Sequence, residues 1–309
     1  MDKQGSLELG QEWEISYVET DQITIRYAVY KPSKEIKRFV VLINGRNEFI
    51  EKYSYITRDL PLPSDCGLIT WDHRGQGGSS GQTSHCESFN SYVNDAHKVL
   101  AEANSENLPY IILAHSMGGL ISIYGIIKKI FTPGYLLLSA PFLGMPEKPL
   151  PHFISRPLSE TLTNISLGNQ YVRYKGAMKK EEFFNNQKTH CRQRYDRMKA
   201  TPYEAKSVTY GWVRAAFLAL DEVHQSENII NFSTPTHIMV GDQESVVDMD
   251  SMHTWINKCK LKNPENQIEF SLIRGAKHEL LSEAKFYYDQ TLMIINAALK
   301  KWSRSLESK

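Results

Sequence analysis

Cysteine is scarce: the 309-residue chain has four, Cys66, Cys86, Cys191 and Cys259, and no two lie at C-x-x-C spacing. That scatter fits neither a zinc site nor a disulfide framework, so all four are read as reduced thiols. Also missing is any unbroken apolar run of roughly 18 residues, the length a membrane-crossing helix needs. The N-terminal MDKQGSLELGQEWEIS lacks the apolar stretch of a secretory signal. The expectation is a cytoplasmic protein that meets a membrane, if at all, at its inner face. Charge of one sign is lacking too. With 36 Lys+Arg against 35 Asp+Glu the formal charge is +1, and no whole-molecule field draws the chain to nucleic acid. Internal repeats and low-complexity tracts are absent.

What is present is an ordinary water-soluble composition, 41% hydrophobic and 23% charged, in a length that suits one α/β core with a sizeable insertion. Short aliphatic or β-branched runs predict strands at TIRYAVY from Thr24, RFVVLIN from Arg38, CGLITWD from Cys66, PYIILA from Pro109, YLLLSA from Tyr135, THIMVG from Thr236 and QIEFSLI from Gln267. Helical patterns separate them, as in a mostly parallel central sheet flanked by helices. Between Ala140 and Thr236 no strand-like run occurs. That gap opens with Pro141, Pro146, Pro149, Pro151 and Pro157, which read as loop, and continues as polar helical sequence. A helical cap over residues 142–232 is therefore expected, inserted between core segments 1–141 and 233–309. Near its end, Trp212, Ala216, Leu220 and Val223 recur at helical spacing and predict a helix packed back on the core.

The sharpest chemical signal is PYIILAHSMGGLISIYGIIKK, a buried strand running through His115-Ser116-Met117-Gly118-Gly119 into a helix. A tight strand-to-helix turn lifts a serine hydroxyl above the sheet and aims the next backbone N–H and the helix N-terminus at a developing oxyanion. Ala114 stands where G-x-S-x-G has its first glycine. The bland alternative is a helix-capping serine ahead of a Gly-Gly pair. His115, next to Ser116 in an extended chain, should point away from the hydroxyl and is read as structural.

A serine needs a base, and the base needs a third group to orient it. His278 follows QIEFSLIRGAK, in the loop after the last predicted strand, and none of the nine other histidines occupies so late a post-strand position. The acid is less defined, because Asp242, Glu244 and Asp248 all follow THIMVG. Asp248 fits the first turn of the next helix, which leaves Asp242 and Glu244 in contention.

These residues, with others, resemble the monoacylglycerol lipase and bacterial lysophospholipase branch of the α/β-hydrolases, also called serine aminopeptidase-like. The resemblance spans nearly the whole chain. It rests on Asn44-Gly45-Arg46-Asn47-Glu48 with Lys52-Tyr53, on Asp72-His73-Arg74-Gly75-Gln76-Gly77-Gly78-Ser79, on His115 to Gly119, on Ser139-Ala140-Pro141, and on Gly275-Ala276-Lys277-His278-Glu279. The first block is closer to bacterial lysophospholipases than to the H-G-x-G-E-H of monoacylglycerol lipases, with Asn44 and Asn47 where His and Gly are frequent. The family acid precedes a residue and two valines, as in G-x-x-[DE]-x-V-V, which implies Glu244, with Asp242 as the alternative. The resemblance also implies an oxyanion hole of the Met117 and Arg46 amides. The glycine-rich DHRGQGGSS lacks a P-loop lysine and reads as a structural turn.

The implied chemistry is ester hydrolysis of a lysophospholipid or monoacylglycerol through an acyl-enzyme, with neither organic cofactor nor metal. The alternatives are a carboxylesterase or aminopeptidase of the same family, or a non-catalytic protein on the same fold. From Arg173 to Lys206 the cap carries ten Lys/Arg against four Asp/Glu, interleaved with Tyr171, Tyr174, Phe183, Phe184 and Tyr195. That suits peripheral contact with an anionic membrane surface, and equally a solvated helical face with buried aromatics.

Overall fold

The computed structural model describes residues 9–60, 62–147, 150–172 and 182–307. Eight strands form one sheet in the order β1-β2-β4-β3-β5-β6-β7-β8. They are β1 (Trp13–Thr20), β2 (Ile23–Tyr30), β3 (Arg38–Ile43), β4 (Cys66–Trp71), β5 (Tyr110–His115), β6 (Leu136–Ser139), β7 (Thr236–Gly241) and β8 (Ile268–Ile273). β1–β2 and β2–β4 pair antiparallel and every other pair is parallel. Seven of these strands are the seven the sequence predicts. β1 is an addition, closed onto β2 through Asp21 and Gln22 at φ 45° and 63°, the paired left-handed residues of a tight hairpin. Only Trp13 and Thr20 of β1 are buried, while Ile15 and Tyr17 face solvent.

The interior strands are apolar on both faces, and side-chain alternation sorts them into two cores. Val41, Ile43, Ile112 and Ala114 face one side, with Phe89, Leu120, Trp212 and Trp255 from helices α2 (Phe89–Ala103), α3 (Met117–Ile127), α6 (Tyr210–Val223) and α8 (Met249–Lys262). Val40, Leu42, Ile111 and Leu113 face the other, with Ile56 of the short α1 (Ile56–Asp59) and Ile295, Leu299 and Trp302 of the last helix, α9 (Lys285–Glu307).

Between β6 and β7 the described residues form helices α4 (His152–Asn164), α5 (Arg192–Lys199), α6 and α7 (Ser226–Ile230). Trp212, Ala216, Leu220 and Val223 of α6 are all buried, as their spacing predicts. Pro157 departs from expectation, lying inside α4 rather than in the entry loop. Its missing N–H falls opposite the carbonyl of Phe153, a residue on the exposed face, where water can satisfy that carbonyl. Pro149, Tyr174 and the basic residues Arg173, Lys175, Lys179 and Lys180 lie outside the described residues.

Candidate active site

Ser116 sits between β5 and α3 at φ 52° and ψ −117°, a conformation hostile to an L-residue with a side chain. Backbone bonds hold it there: Ser116 N donates to Ser139 O at 3.0 Å, and Phe142 N donates to Ser116 O at 2.9 Å. The next turn must come close to the neighbouring strand. A Cβ on Gly118 would fall inside van der Waals contact of Ile43 O and Asn44 O, and one on Gly119 would lie 2.6 Å from Pro141 Cβ. Gly118 therefore packs the start of α3 directly against the loop that leaves β3. Ala114 is fully buried in the core, so a methyl replaces the usual first glycine without strain at that position.

Two backbone amides belong to the segments that meet here. Met117 is the first residue of α3, where a backbone N–H has no intrahelical acceptor. Arg46 lies in the β3 loop, and among the described residues its N–H has no acceptor. The DHRGQGG stretch braces that loop. His73 Nε2 donates to Asn44 O at 2.9 Å while its Nδ1 accepts from Trp71 Nε1 at 3.2 Å, which fixes the neutral tautomer. Burial pushes the His73 pKa down to about 4. Gln76 Oε1 accepts from Asn47 N. Asp72 is clamped by the Ile50 and Gly78 amides, both at 2.8 Å, and by Arg26 at 3.0 Å. Burial nevertheless raises its carboxyl to about 6 against those contacts.

His278 is buried in the loop after β8, and its Nδ1 lies 2.7 Å from Glu244 Oε2. The carboxylate of Glu244 also accepts from Val246 N at 2.6 Å and Val247 N at 3.2 Å. Burial would raise its pKa, but the His278 bond and charge and these two amides outweigh burial and hold it below the ordinary glutamate value. Asp242 is turned elsewhere, with Oδ1 accepting from Gly275 N at 2.6 Å. Asp248 caps α8 by accepting from Asp250 N and Ser251 N. Of the three carboxylates after β7, Glu244 alone meets His278.

The sequence gives no role to the charges packed behind this histidine. Lys52 bridges the buried carboxylates of Glu48 and Glu279. Glu48 also accepts from Gly45 N at 2.6 Å and from Tyr53 OH at 2.7 Å. One buried cluster thus ties the β3 loop to the residue next to His278. His115 completes it. Its Nδ1 donates to Ser139 O at 3.0 Å, and its ring lies 4.7 Å from that of His278. Among the described residues Glu48, His115 and Glu279 are the trio whose ligating atoms could surround a cation. The Lys52 ammonium, bonded to both carboxylates, already supplies that charge.

The family described as serine aminopeptidase, S33, matches residues 34–285. The chain belongs to this family of α/β-hydrolases. Lysophospholipase L2 of Escherichia coli K12 is 30% identical to it over 292 residues, covering 88% of this chain and 83% of that one. Monoglyceride lipase of Homo sapiens is 29% identical over 147 residues, 45% of this chain and 47% of that one. In fold, the chain is similar to a soluble variant of monoglyceride lipase from Saccharomyces cerevisiae, solved with a substrate analogue. The TM-score is 0.72 at 18% identity, with 94% of both chains covered. Monoacylglycerol lipase of Paleococcus ferrophilus superposes with TM-score 0.71 at 17% identity, covering 90% of this chain and 99% of that one.

Proposed function

We propose that this hydrolase cleaves the carboxylic ester of a lysophospholipid or a monoacylglycerol and releases a fatty acid. The observation that carries the reading is the buried Glu244–His278 contact at 2.7 Å, together with a serine held in a strained strand-to-helix turn. Ser116 Oγ attacks the ester carbonyl as His278 Nε2 takes its proton. Glu244 keeps the imidazole in the tautomer with Nδ1–H and stabilises the imidazolium. The Met117 and Arg46 amides donate to the tetrahedral oxyanion. His278 then protonates the leaving alcohol, an acyl-Ser116 remains, and water activated by His278 frees the acid. No cofactor enters this scheme, and residues 142–232 serve as the cap over the acyl and head-group path.

The names of the relatives support a lipid ester. The test is fatty-acid release from lysophosphatidylcholine and from the monoacylglycerol of the same chain. Release from neither, with turnover of short-chain esters or aminoacyl amides instead, would move the assignment to a carboxylesterase or aminopeptidase. Failure to react with a fluorophosphonate would revive a non-catalytic role. The acid has its own test. Glu244→Gln should lower kcat by on the order of 10³- to 10⁴-fold, whereas Asp242→Asn, which disturbs one loop bond, should stay within a few-fold; the reverse pattern would transfer the role to Asp242.

We also propose a peripheral membrane contact through the cap, on narrower grounds than its net charge. Arg194 is turned to the core, its guanidinium 4.2 Å and 3.9 Å from the rings of Tyr55 and Tyr288, and Arg197 bonds Ser54. Lys188, Arg192 and Lys199 remain exposed, Arg192 paired with Asp196 at 2.7 Å, and Phe184 on the same segment is 85% exposed, a basic edge with an apolar tip. Cosedimentation with phosphatidylglycerol vesicles should fall severalfold in Lys188→Glu/Arg192→Glu and fall with salt. Equal binding to phosphatidylcholine vesicles would remove the electrostatic part of the reading.

A further inference from the structure

Arg46 is treated above only for its amide, yet its side chain is the less ordinary feature. The residue is half-buried. Its Nη1 donates to Lys206 O at 3.1 Å, and its Cζ lies 5.9 Å from the Trp212 ring. Both partners come from the segment between β6 and β7. Neither is an anion, and among the described residues Arg46 makes no ion pair, unlike the buried Lys52 with its two glutamates. Burial lowers the Arg46 pKa, against the pull of Tyr92. A partly exposed cation with no counter-charge of its own is available to an anion that carries a planar set of acceptor oxygens.

Gln76 Nε2 is buried without a hydrogen-bond partner, whereas the Trp212 indole and the Tyr92 hydroxyl face each other in the core. Gln76 is linked to Arg46 through the Asn47 amide it accepts from, and the Trp212 ring by its contact with the guanidinium. Trp212 in turn packs at 5.9 Å on Phe142, whose N–H holds Ser116 O. The unpaired Arg46 cation is thus linked through Trp212 and Phe142 to the serine turn.

We propose that Arg46, with the Gln76 amide beside it, forms a subsite for the phosphoryl group of a lysophospholipid and makes this chain prefer that substrate over a monoacylglycerol. The inference rests on the ester-hydrolase reading above. Arg contributes a planar fork matched to phosphate oxygens. A neutral glycerol offers it no charge.

The test is the ratio of kcat/KM for decanoyl lysophosphatidylcholine to that for monodecanoylglycerol. Any disturbance of the oxyanion loop affects both esters and cancels in that ratio. Arg46→Gln should lower it about tenfold to a hundredfold, the range of a lost charge-assisted hydrogen bond, chiefly through KM, and Arg46→Lys should restore part of it. Equal loss on both esters would overturn the proposal and leave Arg46 a latch for Lys206. A second readout needs no turnover. Glycerol 3-phosphate should raise the Tm of the wild type more than inorganic phosphate does, and Arg46→Gln should abolish that rise. If the Arg46-dependent rise is present while neither lipid is cleaved, the subsite stands and the esterase reading fails. If the rise is absent or survives in Arg46→Gln, or inorganic phosphate matches it, the head-group assignment is overturned.

Discussion

Replacing Ser116 by Ala should lower fatty-acid release by on the order of 10⁴- to 10⁶-fold, and His278→Ala should do nearly the same. In the proposed mechanism nucleophile and base act as one unit, so the double variant should fall little further, the residual rate being what the Met117 and Arg46 amides would supply alone. Near-additive losses would mean that His278 does not serve Ser116, and a large residual in Ser116→Ala would exclude it as nucleophile. The same position carries a stability effect of opposite sign. Ser116 adopts φ 52° and ψ −117°, which glycine reaches without strain, so Ser116→Gly should be inactive yet more stable than Ser116→Ala by about 1–2 kcal/mol. Thermal unfolding of the three proteins measures this. A glycine variant that melts below the alanine one would show that the elbow is not a strained segment.

That strain is a local rule broken at a site of function, and it was legible. The buried run Tyr110–His115 ahead of Ser116-Met117-Gly118-Gly119 announces a strand, a sharp turn and a helix, and the contact of Gly118 with the Ile43 and Asn44 carbonyls supplies the reason for its glycine. Strands buried on both faces, such as β4 and β6, were readable for the same reason: an unbroken apolar run leaves little alternative. β1 was not, since an edge strand burying only Trp13 and Thr20 leaves no core pattern to detect. The choice between Asp242 and Glu244 could not be made from residues alone. Side-chain direction there depends on which loop amides are free, and Gly275 N captures Asp242 while Val246 N and Val247 N turn Glu244. The basic composition of the cap misled in part, because sequence does not distinguish an arginine facing lipid from Arg194 stacked on Tyr55 and Tyr288. Least legible was the charge cluster behind His278. Glu48 and Lys52 stand at i,i+4, ordinarily a solvated pair, and nothing near them in sequence announces Glu279.

Removing that cluster's cation should have the largest effect on stability. Lys52→Met keeps most of the side-chain volume but leaves Glu48 and Glu279 buried with no ammonium between them. Breaking a buried pair from one side costs about 3–5 kcal/mol, enough to lower Tm by well over ten degrees in a small domain and by somewhat less in a chain of this size. The pH dependence separates this cause from a simple packing defect. In the wild type, burial raises both carboxyls, but Lys52 outweighs burial and holds them below the ordinary glutamate value, Glu279 well below. A depressed carboxyl stabilises above its unfolded pKa and loses that stabilisation as pH falls through its folded one, so between pH 7 and pH 5 the wild-type contribution stays intact. Without Lys52, burial and mutual repulsion remain and push at least one carboxyl above its unfolded value. The native variant then takes up a proton in this window that the unfolded chain does not, and its stability rises as pH falls. The gap between wild type and Lys52→Met should therefore narrow from pH 7 to pH 5, and Lys52→Met/Glu279→Gln should narrow it at pH 7 by removing one of the stranded charges. A gap that is constant with pH and unrelieved in the double variant would mean that Lys52 contributes its methylenes and not its charge, and the link it makes between the Gly45 loop and the His278 loop would be a packing contact only.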